Sequence, residues 1–164
     1  MKIKIRILSL LIISMLLTGC GYKRIHSVNE NLIQISSVEV SGDSRLANII
    51  KNRLNLISSI NGKNIIDLKL DLSKEKQINE KDITGKIKKY DGKIIIKMSL
   101  KDLNSSNEFK QSFEKKTTYS IGNTHSSTIL NEKRAMRNIA INISEDIGYF
   151  LNIYYKNKWF WKAT

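Results

Sequence analysis

From residue 33 onward the apolar positions follow two distinct periods. Ile33, Ile35, Val38 and Val40 alternate loosely with polar residues, and Val38 and Val40 flank Glu39, so residues 33–41 predict a strand. Gly42-Asp43 reads as a turn and Ser44 as an N-cap. Leu46, Ile49, Ile50, Leu54 and Ile57 then recur at spacings of three and four, with Arg45, Asn48, Lys51, Asn52 and Asn55 mostly on the other side. That spacing predicts an amphipathic helix over residues 45–59, ended by Asn61-Gly62.

Strict alternation follows. Ile66, Leu68, Leu70 and Leu72 interleave with Asp67, Lys69, Asp71 and Ser73, the pattern of a strand with one wet face. Residues 74–82 are almost all polar and carry no apolar period, and strand character resumes weakly over 84–90. Asp91-Gly92 reads as a hairpin turn. Ile94, Ile96, Met98 and Leu100 share one face of a strand over 93–103, and a fourth strand begins at Phe109 and Phe113 and runs toward Ile121. Gly122 ends it. Ile129, Met136, Ile139, Ala140, Ile143, Ile147, Phe150, Leu151 and Tyr154 then form one stripe of a long helix over 129–155. The predicted fold class is α+β, a two-layer sandwich of two helices on one face of a roughly four-stranded mixed or antiparallel sheet.

The first nineteen residues have a different character. Lys2, Lys4 and Arg6 precede the apolar run Ile7–Leu17, which is short for a membrane span and has the layout of a secretory signal. Leu17-Thr18-Gly19-Cys20 then resembles a bacterial lipoprotein box, which implies diacylation of the Cys20 thiol, cleavage before it and acylation of the new amino terminus. The expected organisation is a signal peptide over 1–19, a lipidated tether over 20–32, one α+β domain over 33–155, and an aromatic-basic tail over 156–164. Cys20 is the single cysteine, so its acylation leaves no thiol for disulfides or metal sites. Removing the signal takes the net charge from +13 to +10, a balance suited in a cell envelope to lipid phosphates or an acidic partner. Nucleic acid is not an expected partner of an exported chain.

Little in the sequence suggests catalysis. No serine occupies a Gly-x-Ser-x-Gly elbow, and no glycine loop is built to cradle phosphate. His26 and His125 are far apart, so neither a metal site nor a cofactor is expected, and the chain reads as a non-enzyme. The basic residues carry more information. Lys86, Lys88 and Lys89 precede Asp91-Gly92 and Lys93 follows it, with Lys115 and Lys116 on the next strand. Together they suit phosphates as point charges, or else protect a sheet edge. Trp159, Phe160 and Trp161 stand among lysines, a composition that suits a membrane interface or a protein groove, or a cap folded back on the core.

The start Leu17-Thr18-Gly19-Cys20-Gly21-Tyr22, the helix from Ser44-Arg45-Leu46-Ala47-Asn48 to Leu54, and the segment Thr128–Leu151 with Glu132, Lys133, Arg134 and Ala135 together resemble the outer-membrane lipopolysaccharide-assembly lipoprotein family. The resemblance implies two helices on a four-stranded sheet, set as a plug inside the lipopolysaccharide-transport β-barrel. It implies no enzymatic activity. It further implies that the protein helps the barrel assemble and binds lipopolysaccharide for delivery to the cell surface, anchored in the outer membrane on the periplasmic side. Gly21 after Cys20 is similar to lipoproteins sorted to that membrane. Lys86, Lys88 and Lys89 are the nearest match to the basic residues with which the family contacts lipopolysaccharide. The alternative is an auxiliary lipoprotein of another envelope lipid-transport or secretion complex.

Overall fold

A computed structural model describes residues 32–105 and 107–162, with side chains as far as Asn157. The signal segment, Cys20 and the tether up to residue 31 lie outside the described residues. The element order is β1 (Ile33–Ser41), α1 (Ser44–Ile57), β2 (Asn64–Lys81), β3 (Ile87–Asp102), β4 (Glu108–Ser120) and α2 (His125–Lys162). The strands form one sheet in the order β1-β2-β3-β4. β1 pairs parallel to β2 through the α1 crossover, and the other pairs are antiparallel. The two helices cover one face of this mixed sheet, as the alternation predicts.

The core lies between the layers. Ile66, Leu68, Leu70 and Leu72 of β2 and Ile94, Ile96, Met98 and Leu100 of β3 meet Ile50 and Leu54 of α1 and Ile143, Ile147 and Leu151 of α2. Burying each Leu or Ile side chain contributes roughly 1.5–3 kcal/mol. α2 has the expected stripe with two changes. Ile129 is exposed, because it precedes the part of the helix that meets the sheet, and Tyr155 joins the core. Tyr155 sits beside the buried Asp102. Burial first, then the negative charge of Asp102, raises its phenol well above the usual range. Phe109 packs on Phe150 and Tyr154 at centroid distances of 5.6 and 5.2 Å, closing the core under β4.

Three expectations are corrected. Asp43, not Ser44, caps α1: its Oδ1 accepts from the amides of Arg45 and Leu46. Residues 74–81 are not a break but the outer half of β2, an 18-residue strand. The apolar period is missing there because all of these residues are exposed, meeting α2 only through Lys74 and Lys76, while the backbone pairs with β3 at every residue but Asn79. Asp91-Gly92 is not a turn either. Both residues are inside β3, where Asp91 faces Gln77 and Thr118.

The hairpin turns instead at Asp82–Lys86. The Asp82 carboxylate accepts from the amides of Thr84 and Lys86, and Gly85 adopts φ +81°. Gly92 serves packing: a Cβ there would come within 2.0 Å of the Met136 Cε on α2.

Candidate functional site

The charged side chains divide sharply between the two layers. On the sheet most of the lysines are held by carboxylates. Of the three predicted lysines, Lys88 lies 3.6 Å from Asp82 and Lys89 lies 2.6 Å from Glu80. Lys86 belongs to the turn rather than the strand, so it shares no strand face with Lys88. The structure does bring all three to one place, the tip of the β2–β3 hairpin. Two of them spend their charge on neighbours six and nine residues away in sequence.

The sheet face away from the helices is almost wholly polar. Its centre is Asp91, whose carboxylate accepts from Lys116 Nζ at 2.7 Å, Thr118 Oγ1 at 2.6 Å and Asn79 Nδ2 at 2.9 Å. These donors, Lys116 foremost, lower its pKa to about 2. One register step away Lys93 lies between Glu75 at 3.1 Å and Glu114 at 3.5 Å. The Glu75 contact, more than that of Glu114, holds the ammonium above its ordinary pKa. A shallow hollow of about 190 Å³ lies among Glu75, Gln77, Asp91, Lys93, Glu114 and Lys116. Its three acids outnumber its two bases by one, so it offers no excess positive charge to an anion.

The opposite face of the same hairpin meets α2. Glu132 receives Lys76 at 2.8 Å and Lys74 at 3.7 Å, and accepts a hydrogen bond from Tyr119 at 3.0 Å. Lys76 also lies 4.2 Å from the centre of the Tyr90 ring. The Glu132 hydrogen bond is the main cause of the raised Lys76 pKa, and Lys76 in turn lowers that of Glu132. This cluster docks the hairpin on the helix and consumes two more lysines.

The helix layer is different. All four arginines of the described residues, Arg45, Arg53, Arg134 and Arg137, are on the helices, and all are exposed. Among the described residues every ion pair uses a lysine, and no carboxylate pairs with any of these arginines. α1 carries Arg45, Lys51 and Arg53 and no acid. On α2, Glu132 and Asp146 are drawn to lysines of β2 and β4, which leaves Lys133, Arg134 and Arg137 on its outer side. Unpaired guanidinium groups are the chemistry that binds phosphate in a two-point fork. Reading the sequence for lysine clusters passed over them. The available signal was the position of Arg45, Arg53, Arg134 and Arg137 on helix faces with few acids at i±3 and i±4.

Among the described residues no group of three or more His, Cys, Asp or Glu could hold a metal, and no helix is long and apolar enough to cross a membrane. His125 opens α2.

No protein-family model matches the chain, and no curated relative matches its sequence. Solved structures do match in three dimensions. Rare lipoprotein B from Shewanella oneidensis aligns with a TM-score of 0.61 at 17% identity, over 76% of this chain and 97% of that one. The chain shares its fold. A minor lipoprotein from Acinetobacter baumannii aligns at 0.56 and 13% identity, over 73% of this chain and 90% of that one. Lipoprotein B from Nitrosomonas europaea aligns at 0.55 and 12% identity, over 78% and 88% of the two chains. The likeness therefore extends over nearly the whole body of each neighbour, with its sequence almost entirely replaced.

Proposed function

We propose that the protein is a non-enzymatic outer-membrane lipoprotein that helps assemble and plugs the lipopolysaccharide-export β-barrel, and that it contacts lipopolysaccharide on its way to the surface. The observation that carries this reading is the shared fold. A chain whose Leu17-Thr18-Gly19-Cys20 has the form of a lipoprotein box has a body that matches 97% of a lipoprotein B structure. Two features of the body support it. The open sheet face, from Lys69 and Asp71 across Lys97 to Ser112, is polar and internally charge-balanced, which suits contact with a polar barrel wall better than an apolar one. The helix layer presents unpaired arginines suited to the phosphates of lipid A. Lys86, Lys88 and Lys89 remain part of the proposed anion contact, with Lys86 its freest member by position.

The test is a mild-detergent pull-down of the lipidated protein from outer membranes, with partners identified by mass. Recovery of a large β-barrel in equal amount supports the plug reading. Recovery of inner-membrane transport components in its place would overturn it.

A further inference from the structure

One pole of the molecule collects exposed apolar side chains. The chain enters β1 there: Leu32 accepts from the Asn64 amide, and Ile33 from that of Ser59. α1 ends at the same pole, with Ile57 packed against Gly148 of α2. The β3–β4 turn is there too, tied to the β2 start by the Leu103 amide on Ile65 and by Asn104 Nδ2 on Lys63. Around these ties three large apolar side chains face outward: Leu56 is 80% exposed, Ile60 89% and Leu103 43%. None of the three belongs to the buried core.

α2 leaves the body at this pole. Tyr155, its last core residue, sits beside Asp102, the end of β3. The helical backbone then continues to Lys162. Seven further residues carry it roughly 10 Å past the last sheet contact. This bears on the aromatic tail. A chain that folded back to cap the core would have to break the helix after Tyr155, and it does not. The projecting segment reads Lys156-Asn157-Lys158-Trp159-Phe160-Trp161-Lys162, three aromatics among three lysines and no acid.

We propose that this pole is a second, non-covalent membrane contact, seated in the interfacial region of a phospholipid bilayer. Tryptophan beside lysine is the composition of that region: the indole is apolar with one polar edge, and the ammonium reaches the headgroup phosphates. Leu56 and Ile60 supply the apolar footing beside it. The bilayer is favoured over a protein groove by where the chain comes from. Cys20 is twelve residues before Leu32, a length that spans at most about 40 Å even when extended. An acylated Cys20 thus holds this pole, and not the hairpin tip, closest to the membrane. The inference deepens the lipid-anchored reading and rests on it for which end faces the bilayer. A second contact adds to the lipid anchor in setting the orientation of the body.

Trp159 and Trp161 are the only tryptophans in the chain, so intrinsic emission reports on this pole alone. The full lipidated protein is extracted from membranes and reconstituted into vesicles of phosphatidylethanolamine and phosphatidylglycerol, some carrying lipids brominated near the headgroup end of the acyl chain. The expected result is bromine quenching of about half the tryptophan emission, with little quenching by aqueous iodide. Leu56→Asp with Ile60→Asp, both at exposed positions, lowers the bromine quenching while the circular dichroism stays the same. Quenching by iodide alone, or by neither agent, overturns the proposal. The mass of the chain reports Cys20 acylation separately. An acylated chain without bromine quenching sinks this inference and spares the anchor. An unacylated chain that still binds the vesicles and is quenched does the reverse.

Discussion

Lys116 Nζ lies 2.7 Å from Asp91 Oδ2, across the β3–β4 pair, on a carboxylate whose residue is only 6% exposed. An aspartate followed by glycine is expected at a turn. Here it is the acceptor that joins β2, β3 and β4, through Asn79, Lys116 and Thr118.

This relationship gives a pH dependence of definite sign. The pKa of Asp91 is about 2 in the folded chain and about 4 when unfolded. A lowered folded value means that the contribution is fully present above the unfolded pKa and is lost as pH falls through the folded one. Between about pH 4 and pH 2 the wild-type chain is expected to lose stability relative to Asp91→Asn, whose side chain does not titrate. Thermal unfolding of both chains across that range measures the narrowing gap; parallel curves would show that Lys116 leaves Asp91 unshifted.

Two glycines are expected to respond unequally to alanine. Gly42 has φ +107°, and a Cβ there would meet the Leu72 carbonyl oxygen at 2.2 Å. Backbone cannot yield as a side chain can, so Gly42→Ala is expected to cost about 1–3 kcal/mol. At Gly148 the added Cβ meets Ile57 Cδ1, the far end of a flexible side chain, at 2.6 Å. Alanine there gains about 1 kcal/mol of helix propensity against a small repacking cost, so the net change is expected to be near zero. Urea midpoints of the two variants settle the order.

The core and the pole make a second contrast. Leu54 and Ile143 are both fully buried, and truncating either to alanine is expected to cost about 2–5 kcal/mol. Leu56 differs from Leu54 by two positions on the same helix and is 80% exposed, so Leu56→Ser is expected to change stability by less than about 0.5 kcal/mol. A Leu56 variant as damaging as Leu54→Ala would mean that the α1 end is covered by something.

Arginine and lysine variants separate the two candidate anion surfaces. Replacing Arg134 and Arg137 by alanine removes two unpaired charges, whereas replacing Lys88 and Lys89 also releases Asp82 and Glu80. Lipopolysaccharide binding by the full lipidated protein in detergent is expected to fall further in the arginine double variant. The wild-type affinity is expected to drop with added salt, because these groups are exposed. A lysine double variant that binds less well than the arginine one would return the contact to the hairpin tip.

Local pattern alone placed most of the architecture. Alternation at Ile66–Leu72 and Ile94–Leu100 marks strands with one buried face, and spacings of three and four in 46–57 and 136–154 mark helices, because each period reports which side of an element is dry. The same logic fails where both sides are wet. Residues 74–81 show no period because all of them are exposed, α2 meeting them only through Glu132, and cross-strand pairing alone makes them a strand. Asp91 and Gly92 misled for a related reason. Each is suited to a turn, yet Lys116, Thr118 and Asn79 satisfy the carboxylate and Met136 occupies the space a side chain would need.

Charge was legible as a total and not as a distribution. The sequence alone shows an excess of lysine and arginine and a cysteine in a lipoprotein box. Which cations are free depends on partners distant in sequence, such as Lys76 with Glu132 and Lys115 with Asp146. Those pairings exist only once β2 and β4 lie under α2. Tertiary structure alone therefore decided that most sheet lysines are paired, that the helix arginines remain unpaired, and that the aromatic end of α2 emerges at the pole where the chain enters β1. The physical reason is range: periodicity is set by neighbours along one element, whereas charge pairing and exposure are set by whichever elements the core brings together.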